Sequence, residues 1–116
     1  MKVHSIAPFV PSGSDFQASK QFFQALGFEL TSDQHGYAGF QKDGCAFILQ
    51  DFNDKAFAEN LMLSVRIDDV AGFREEVLQK KLPEKFGIRI SDIRQQPYGK
   101  EVNIIDRAGV CWHFIQ

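Results

Sequence analysis

The sequence predicts an α+β fold made of two βαβββ units, with the helices on one face of the sheets. Three observations predict it. The same order of elements, a strand, a helix and three further strands, can be assigned twice along the 116 residues. Each candidate helix has an apolar face at helical spacing. An Asp-Gly pair, Asp43–Gly44, separates two apolar segments and indicates a hairpin, because both of its turn positions require positive φ.

The first unit is predicted over residues 1–52. Residues 3–10 are apolar and branched, which favours a strand, and the Pro, Ser and Gly residues after them end it. Ser14 or Asp15 then caps a helix, because their side-chain oxygens accept hydrogen bonds from the first turn. Gly27 follows where a left-handed residue ends a helix. Three strands complete the unit, over residues 28–30, 37–41 and 45–50.

A polar connection over residues 53–60 leads to the second unit, residues 61–116. Residues 61–67 favour a strand, and Asp68 is placed to cap the helix that follows. That helix is predicted to end before Pro83. The remaining elements are a weak strand within residues 88–96, a strand over 101–105, a turn over 106–109 and a last strand over 110–116.

The composition is that of a globular protein without the features of a nucleic-acid binder. A length of 116 residues suits one domain, so residues 1–116 are predicted as a single domain. The hydrophobic fraction of 44% excludes disorder, and the net charge of −2 lacks the basic excess typical of nucleic-acid binding. One basic cluster is interleaved with Glu84 and Asp92 and is interpreted as a solvated face; its members are Lys80, Lys81, Lys85, Arg89 and Arg94.

The sequence has no pattern typical of a membrane or secreted protein. Its apolar runs are far shorter than the ~18 residues of a membrane helix, and its first residues do not resemble a signal peptide. Two cysteines, Cys45 and Cys111, do not form a disulfide framework. We therefore expect a reduced, cytoplasmic protein in which both thiols are inert, because they lie in apolar strands.

Two stretches resemble a known superfamily. The segment FFQALGFEL in the first unit and the tail QQPYGKEVNIIDRAGVCWHFIQ resemble the vicinal oxygen chelate superfamily. This superfamily includes glyoxalase I, extradiol dioxygenases, fosfomycin-resistance enzymes and bleomycin-resistance proteins. The tail is most similar to the bleomycin-resistance branch, whose members carry Q-P-W-G, then R/K-E, D-P-A-G and H-F.

The resemblance implies an architecture and an assembly. Each unit is expected to form a curved half-barrel sheet, and two units are expected to enclose a cleft with the helices outside. Members of the branch resemble homodimers in which units are exchanged between chains, so a homodimer is implied here. Whether the cleft is built within one chain or between chains stays open. The branch confers antibiotic resistance by binding.

The resemblance also locates four positions that hold a divalent metal in the enzymes of the superfamily. Here these positions fall on Ala7, on Ile48 or Leu49, on Met62 and on His113. Only His113 is a ligand for a divalent ion, and one ligand does not hold a catalytic metal. We therefore expect neither a metal nor another cofactor.

His113 is the most informative polar residue of the last strand. Alternation places it on one face with Cys111 and Ile115, and places Trp112 and Phe114 on the other. If the second face packs under the helices, His113 points into the cleft. We interpret it as a hydrogen-bonded histidine that lines the cavity; a general base, a metal ligand and a direct ligand contact stay open as alternatives.

Aromatic side chains form the other part of the candidate site. Tyr37 and Tyr98 occupy positions that are aromatic in the bleomycin-resistance branch, where such rings stack on the planar part of the drug. The alternative is that both rings lie at the rim and fix loops. Met62, Ser64 and Arg66 share the inward parity of their strand.

Charged residues near the expected cleft bear on the ligand. Arg66 repels a cationic drug such as bleomycin and favours an anionic or carbonyl-bearing ligand. Glu101 and Asn103, on alternate positions of one strand, are placed to line the same cleft. The alternative for Glu101 is a surface ion pair, which contributes under about 1 kcal/mol.

The function predicted is that of a metal-free protein that sequesters a small, partly planar ligand in an inter-unit cleft without catalysis. One alternative is a metal-dependent glyoxalase-like lyase or thiol transferase of the same superfamily. Another is an interaction module whose cleft is filled by some of the 12 phenylalanines. A ferredoxin-like dimer is favoured instead if residues 36–50 do not form a hairpin.

Overall fold

The computed structural model describes all 116 residues and contains nine strands and four helices. The strands are β1 Phe9–Pro11, β2 Glu29–Gln34, β3 Tyr37–Lys42, β4 Cys45–Gln50, β5 Met62–Arg66, β6 Arg89–Ile90, β7 Arg94–Gln96, β8 Gly99–Ile105 and β9 Cys111–Ile115. The helices are α1 Phe16–Ala25, α2 Lys55–Asn60, α3 Val70–Gln79 and α4 Leu82–Phe86. None of these helices is long and apolar enough to cross a membrane.

The strands form two sheets of the same topology. The first has four strands in the order β1-β4-β3-β2, and the second has five, in the order β5-β9-β8-β6 with β7 also paired to β8. In each sheet the first strand of the unit runs parallel to the last, and the other pairs are antiparallel. The predicted α+β fold of two βαβββ units is confirmed.

The predicted hairpin of the first unit is confirmed. Asp43 and Gly44 form its turn with φ of 51° and 80°, the positive values that an Asp-Gly pair tolerates. The register that results places Phe40 opposite Phe47, and their rings stack with centroids 5.4 Å apart. The condition that favoured a ferredoxin-like dimer is therefore not met.

Aspartates begin three of the helices. The carboxylates of Asp15, Asp54 and Asp69 each accept a hydrogen bond from the backbone N–H three residues on, at 2.9–3.0 Å. Asp15 was one of the two predicted caps of α1. The prediction of Asp68 as the cap of α3 is wrong, because Asp69 has the extended backbone that a cap requires. The polar connection contains the short helix α2, which Asp54 caps and which was not predicted.

Two prolines lie inside regular elements, although α3 ends at Gln79 and therefore before Pro83, as predicted. Pro11 belongs to β1, where its nitrogen lies on the edge that pairs with no strand and no hydrogen bond is lost. Pro83 lies in the first turn of α4, where a backbone N–H has no partner within the helix. The strand predicted over residues 3–10 begins only at Phe9 and extends to Pro11. The weak strand within residues 88–96 is two short strands, β6 and β7.

One aromatic core joins the two units. Phe23 of α1 is fully buried, and its ring centroid lies 4.9 Å from that of Phe47 in β4 and 5.2 Å from that of Trp112 in β9. Phe114 is also buried and packs on Phe73 of α3. As expected, the two aromatic residues of the last strand lie under the helices. The opposite face of the second sheet, which carries His113, is left open.

Candidate functional site

The open face of the second sheet collects the polar residues that the sequence singled out. In register across β5, β9 and β8, Ser64 lies beside His113 and His113 beside Asn103. The neighbouring rows on the same face add Met62, Arg66, Glu101, Ile105, Cys111 and Ile115. The alternation of the strands therefore brings six of the eight candidate residues onto one surface.

Glu101 is the centre of a hydrogen-bonded group on this face. Its Oε1 accepts a hydrogen bond from the Tyr98 hydroxyl, and its Oε2 lies 2.8 Å from Nδ1 of His113. Only 4% of Glu101 is exposed. The alternative of a surface ion pair for Glu101 is therefore wrong. The carboxylate is a buried acceptor that fixes the positions of two neighbouring side chains.

The protonation states within this group follow from its geometry. Burial alone raises the pKa of Glu101, but hydrogen bonds from Tyr98 and His113 and the charge of His113 outweigh burial, so this pKa lies below its ordinary value. The hydrogen bond to the carboxylate, with burial and charge in support, raises the pKa of Tyr98. At neutral pH Glu101 is therefore a carboxylate and Tyr98 a phenol. The proton on Nδ1 of His113 faces Glu101.

Two polar atoms beside this group have no partner within the chain. Nε2 of His113 and Oδ1 of Asn103 are both buried and accept no hydrogen bond. Their residues are paired across β8 and β9, on the same face of the sheet. An unsatisfied buried acceptor costs about 1–3 kcal/mol. A ligand that donates hydrogen bonds is the kind of molecule that this pair of atoms would stabilise.

The two candidate tyrosines lie on different sheets. Tyr98 is 51% exposed and stands at the start of β8, so its ring is accessible while its hydroxyl is held by Glu101. Tyr37 is 45% exposed on the open face of the first sheet, where its ring meets Phe9 edge to face at 5.9 Å. Sequence reasoning missed Phe9, although alternation with the buried Val10 indicates that its side chain points outward.

A groove of about 320 Å³ runs between the start of β4 and strand β5. Its walls are mostly apolar and include Phe28 and Phe47, while Ser64 and Arg66 contribute the polar part. Cys45 begins the apolar strand β4, as predicted, and is exposed at the edge of the groove and not buried in the core. The groove gives the polar face of the second sheet an apolar extension toward the first unit.

The residues at the four expected metal positions do not fit a divalent ion. Leu49 is fully buried in the core, so the position on the open face of β4 is Ile48, which like Met62 has no donor atom for such an ion. Nδ1 of His113 is engaged by Glu101. Nowhere in the chain do three His, Cys, Asp or Glu side chains gather closely enough to hold a metal. The donor set thus does not support metal-assisted chemistry on this face.

Cys111 is the thiol closest to the polar group. Burial, together with the carboxylates of Glu101 and Asp106, raises its pKa above the ordinary value. The side chain is therefore a protonated thiol at neutral pH. A protonated thiol is a poor nucleophile and a weak metal ligand.

The turn between β8 and β9 holds these strands in register. Oδ1 of Asp106 accepts hydrogen bonds from the backbone N–H groups of Ala108, Gly109 and Val110 at 3.0–3.1 Å. Its Oδ2 accepts from Nε1 of Trp112 at 2.9 Å. Burial raises the pKa of Asp106 in spite of these four bonds. The turn was predicted, but the role of Asp106 in placing His113 opposite Asn103 was not.

The solved structures that the chain superposes on share this arrangement of two βαβββ sheets, which is the glyoxalase/bleomycin-resistance fold. No protein-family model matches the sequence, and no curated protein matches it either. The chain therefore has the fold that the sequence resemblance predicted.

Three solved proteins illustrate the likeness. The bleomycin-binding protein of the bleomycin producer Streptomyces verticillus, solved with copper(II)-bleomycin, is 20% identical; the match covers 99% of this chain and 97% of that one, with a TM-score of 0.78. A bleomycin resistance determinant encoded on the transposon Tn5 is 22% identical over 98% of both chains, with a TM-score of 0.78. The antibiotic-binding protein TnmS3 of Streptomyces sp. CB03234 is 19% identical over 100% and 98%, with a TM-score of 0.77. At these identities the comparison establishes the fold.

Proposed function

We propose that this protein binds a small, partly planar molecule in a cleft lined by the open face of its second sheet, and releases it unchanged. The observation that carries the proposal is the pair of buried, unpartnered polar atoms, Nε2 of His113 and Oδ1 of Asn103, beside the exposed ring of Tyr98. The similarity to two proteins named for bleomycin and one named for antibiotic binding supports a binding role.

Binding on this face needs two contributions that the residues provide. The rings of Tyr37 and Tyr98 offer flat surfaces, and an aromatic contact contributes about 0.5–1.5 kcal/mol beyond the burial of area. The buried polar atoms of His113 and Asn103 then orient the ligand, because unpartnered buried groups discriminate strongly against a molecule that cannot hydrogen-bond to them. Met62 and Ser64, on the neighbouring strand β5, complete the wall of the cleft.

The chemistry of the face favours sequestration over catalysis. Glu101 is bonded to two partners, and Cys111 is a protonated thiol. A general base needs an acceptor within reach of a substrate proton, and Nε2 of His113 is the one such atom of this group. We include no metal in the proposal, since three of the four expected ligand positions lack donor atoms for a divalent ion.

The thermal midpoint of unfolding tests the proposal. We expect at least one of a panel of planar antibiotics of positive (metal-free bleomycin), zero and negative charge to raise the midpoint by several degrees, because a ligand at 100 times its Kd stabilises by about 2.7 kcal/mol. The variant Tyr98→Ala should lose most of the shift. Lys55→Ala, on an exposed position of α2, serves as the matched control and should keep it.

Metal ions provide the opposing arm of this experiment. Nickel, manganese and zinc should leave the midpoint unchanged under the same conditions. A shift with a metal and with no planar compound would contradict the proposal and support the glyoxalase-like lyase or thiol transferase. No shift with any planar compound would contradict the binding function and favour an interaction module.

We also propose that the protein is a homodimer. Large apolar side chains are exposed near the cleft, with Met62 at 69% and Phe9 at 52%, and Ile6 is 90% exposed in a segment that joins no sheet. Contiguous exposed apolar surface is typical of an interface. Light scattering should give twice the chain mass. If residues 1–7 are exchanged between copies, their deletion should give a monomer.

The proposed location is the cytoplasm. Cys45 and Cys111 are unpaired, and Cys45 is exposed. Disulfides persist in oxidising compartments, so an exposed free thiol is typical of a reducing one. Detection of the protein in a periplasmic or secreted fraction would contradict this proposal.

A further inference from the structure

Two arginines of the second sheet have no role in the site described above. Arg89 of β6 lies opposite Ile105, and Arg94 of β7 lies opposite Glu101, so both side chains share the open face. Together they line a groove of about 220 Å³ that also includes Asn103 and Cys111. We refer to it as the Arg89–Arg94 groove. The sequence grouped both arginines with lysines on a solvated face.

The lysines of that sequence cluster lie elsewhere. Lys80, at the end of α3, pairs with Glu76 of the same helix and donates to the backbone oxygen of Ala25. Lys81 and Lys85 belong to the start and the end of α4. The fold therefore separates the cluster and leaves the two arginines by themselves at the groove.

Neither guanidinium group of the groove is paired with an acid of the chain. Neither Arg89 nor Arg94 makes an ion pair, because the neighbouring acids are engaged elsewhere. Asp92, between the two arginines in sequence, pairs with Nη2 of Arg74 at 3.2 Å. Both carboxylate oxygens of Glu101 are bonded to Tyr98 and His113. Two guanidinium groups on one surface without an acid partner are suited to a bound anion.

The backbone between the two arginines is held in place. The N–H of Ser91 donates to the carbonyl of Asn103, and its Oγ accepts from the N–H of Asn103, both at 2.9 Å. Nε of Arg74 donates to the carbonyl of Ser91 at 2.9 Å. These bonds fix the bend that turns both arginines into one groove. A site fixed before binding loses less conformational entropy when a ligand enters.

The groove adjoins the unpartnered acceptor of the site. Asn103 lines it, and Oδ1 of Asn103 is the buried atom without a hydrogen bond. A molecule that spans both features would present an anionic group to the arginines and a donor to Asn103. Its flat part would then lie toward Tyr98, which immediately precedes the strand that carries Asn103.

We propose that the Arg89–Arg94 groove binds the carboxylate of a planar, anionic ligand. The inference rests on the proposed function and names the class of its ligand: a small aromatic acid rather than a cationic drug. Planar guanidinium groups form paired hydrogen bonds with a carboxylate, and the like charge of a cation is repelled from the same place.

A matched pair of probes tests the charge of the ligand. Naphthalene carboxylate and naphthalene carboxamide have the same ring and differ in charge. We expect calorimetric titration at low ionic strength to give the carboxylate a Kd about tenfold lower, since hydrogen bonds to a charged group are the stronger ones. Added salt should reduce the difference.

Variants assign the preference to the groove. The double variant Arg89→Gln, Arg94→Gln should bind the two probes equally, whereas Arg107→Gln, an exposed arginine of the β8–β9 turn, should keep the full preference. In the unmodified protein, amide chemical shifts on addition of the carboxylate should change most at residues 89–94. This last measurement does not depend on the folding of any variant.

The outcomes separate this inference from the proposed function. Equal affinity for the two probes, a preference that survives in the double variant, or shifts centred away from residues 89–94 would each overturn the anion site. Binding of neither probe would overturn it as well. The thermal-shift experiment with planar antibiotics decides the binding function independently, so either can fail while the other stands.

Discussion

The two sheets have the same topology but present different open faces. The first exposes Phe9 and Tyr37, whose rings meet edge to face. The second presents Glu101, Asn103 and His113, which form a polar row with buried atoms. One strand order therefore gives an aromatic surface in one unit and a hydrogen-bonding surface in the other. Because side chains alternate along a strand, the open face can change while the covered face stays apolar.

The covered faces are by contrast alike and continuous. Phe47 of the first unit and Trp112 of the second lie with ring centroids 5.2 Å apart, and Phe23 contacts both. The difference between the units is thus confined to the surfaces that are free to bind. Stability should depend on the covered faces, and selectivity on the open ones.

The largest effect is expected from a substitution in the core that joins the two covered faces. Phe23→Ala removes a fully buried ring that packs on both units and should lower the free energy of unfolding by about 3–5 kcal/mol. Chemical denaturation checks this value. A loss below about 1 kcal/mol would mean that the two covered faces do not form one core.

A smaller loss is expected where the covered face meets the turn. Trp112→Phe keeps an aromatic ring but removes the Nε1–H donor, which leaves Oδ2 of the buried Asp106 without a partner. We expect a loss of about 1–3 kcal/mol by the same measurement. Phe114→Leu, on the same face of β9, is the control for ring size alone. An unchanged free energy in Trp112→Phe would contradict the role of the Asp106 bond.

The two buried carboxylates of the second sheet should have opposite pH dependence. The lowered pKa of Glu101 means that its contribution to stability is present above the ordinary Glu range and is lost as pH falls through the folded pKa. The raised pKa of Asp106 means that its contribution is present at low pH and is lost as pH rises through the folded pKa.

Substitution of one carboxylate at a time separates the two effects. In Glu101→Gln the free energy of unfolding should fall less between neutral and acidic pH than in the unmodified protein, and denaturation at a series of pH values measures this. Glu59→Gln, on an exposed helix position, is the control and should leave the pH profile unchanged. A Glu101→Gln profile identical to that of the unmodified protein would contradict the lowered pKa.

The smallest effects are expected when the hydroxyl of one tyrosine is removed from each sheet. Tyr37→Phe removes a hydroxyl that makes no hydrogen bond within the chain, and should change the free energy of unfolding by less than about 0.5 kcal/mol. Tyr98→Phe removes the donor to Glu101 and should cost more. Spectrophotometric titration should also show that Tyr98→Phe lacks a phenol that ionises above the ordinary range. An equal loss of unfolding free energy in Tyr37→Phe and Tyr98→Phe would contradict the conclusion that only the second sheet holds its tyrosine by a hydrogen bond.

Local signals in the sequence predicted most of the fold. The Asp-Gly turn and the cap Asp15 depend on residues close in sequence, and both were found. Asp69 was missed because its neighbour Asp68 gives the same local signal. Which one caps the helix depends on the backbone that packing selects. Helix α2 was missed because its six residues are too few to show an apolar period.

The sequence predicted which residues of the site share a face, but not the hydrogen bonds between them. Alternation placed Glu101, Asn103 and His113 on one face, and this holds. The bond between Glu101 and His113 joins residues 12 apart in sequence, so it depends on the register of β8 and β9. The placement of Arg89 and Arg94 in one groove was missed because it depends on the bend at Ser91, which bonds to Asn103 of a different strand.

The division of the outermost strand into β6 and β7 has a further consequence for assembly. A long, regular edge strand offers unpaired backbone groups that recruit further strands and lead to aggregation. Here the edge is interrupted at residues 91–93 and carries an arginine on either side of the interruption. This border of the second sheet therefore resists edge-to-edge polymerisation, so that copies of the chain can associate elsewhere without growing into open-ended fibres.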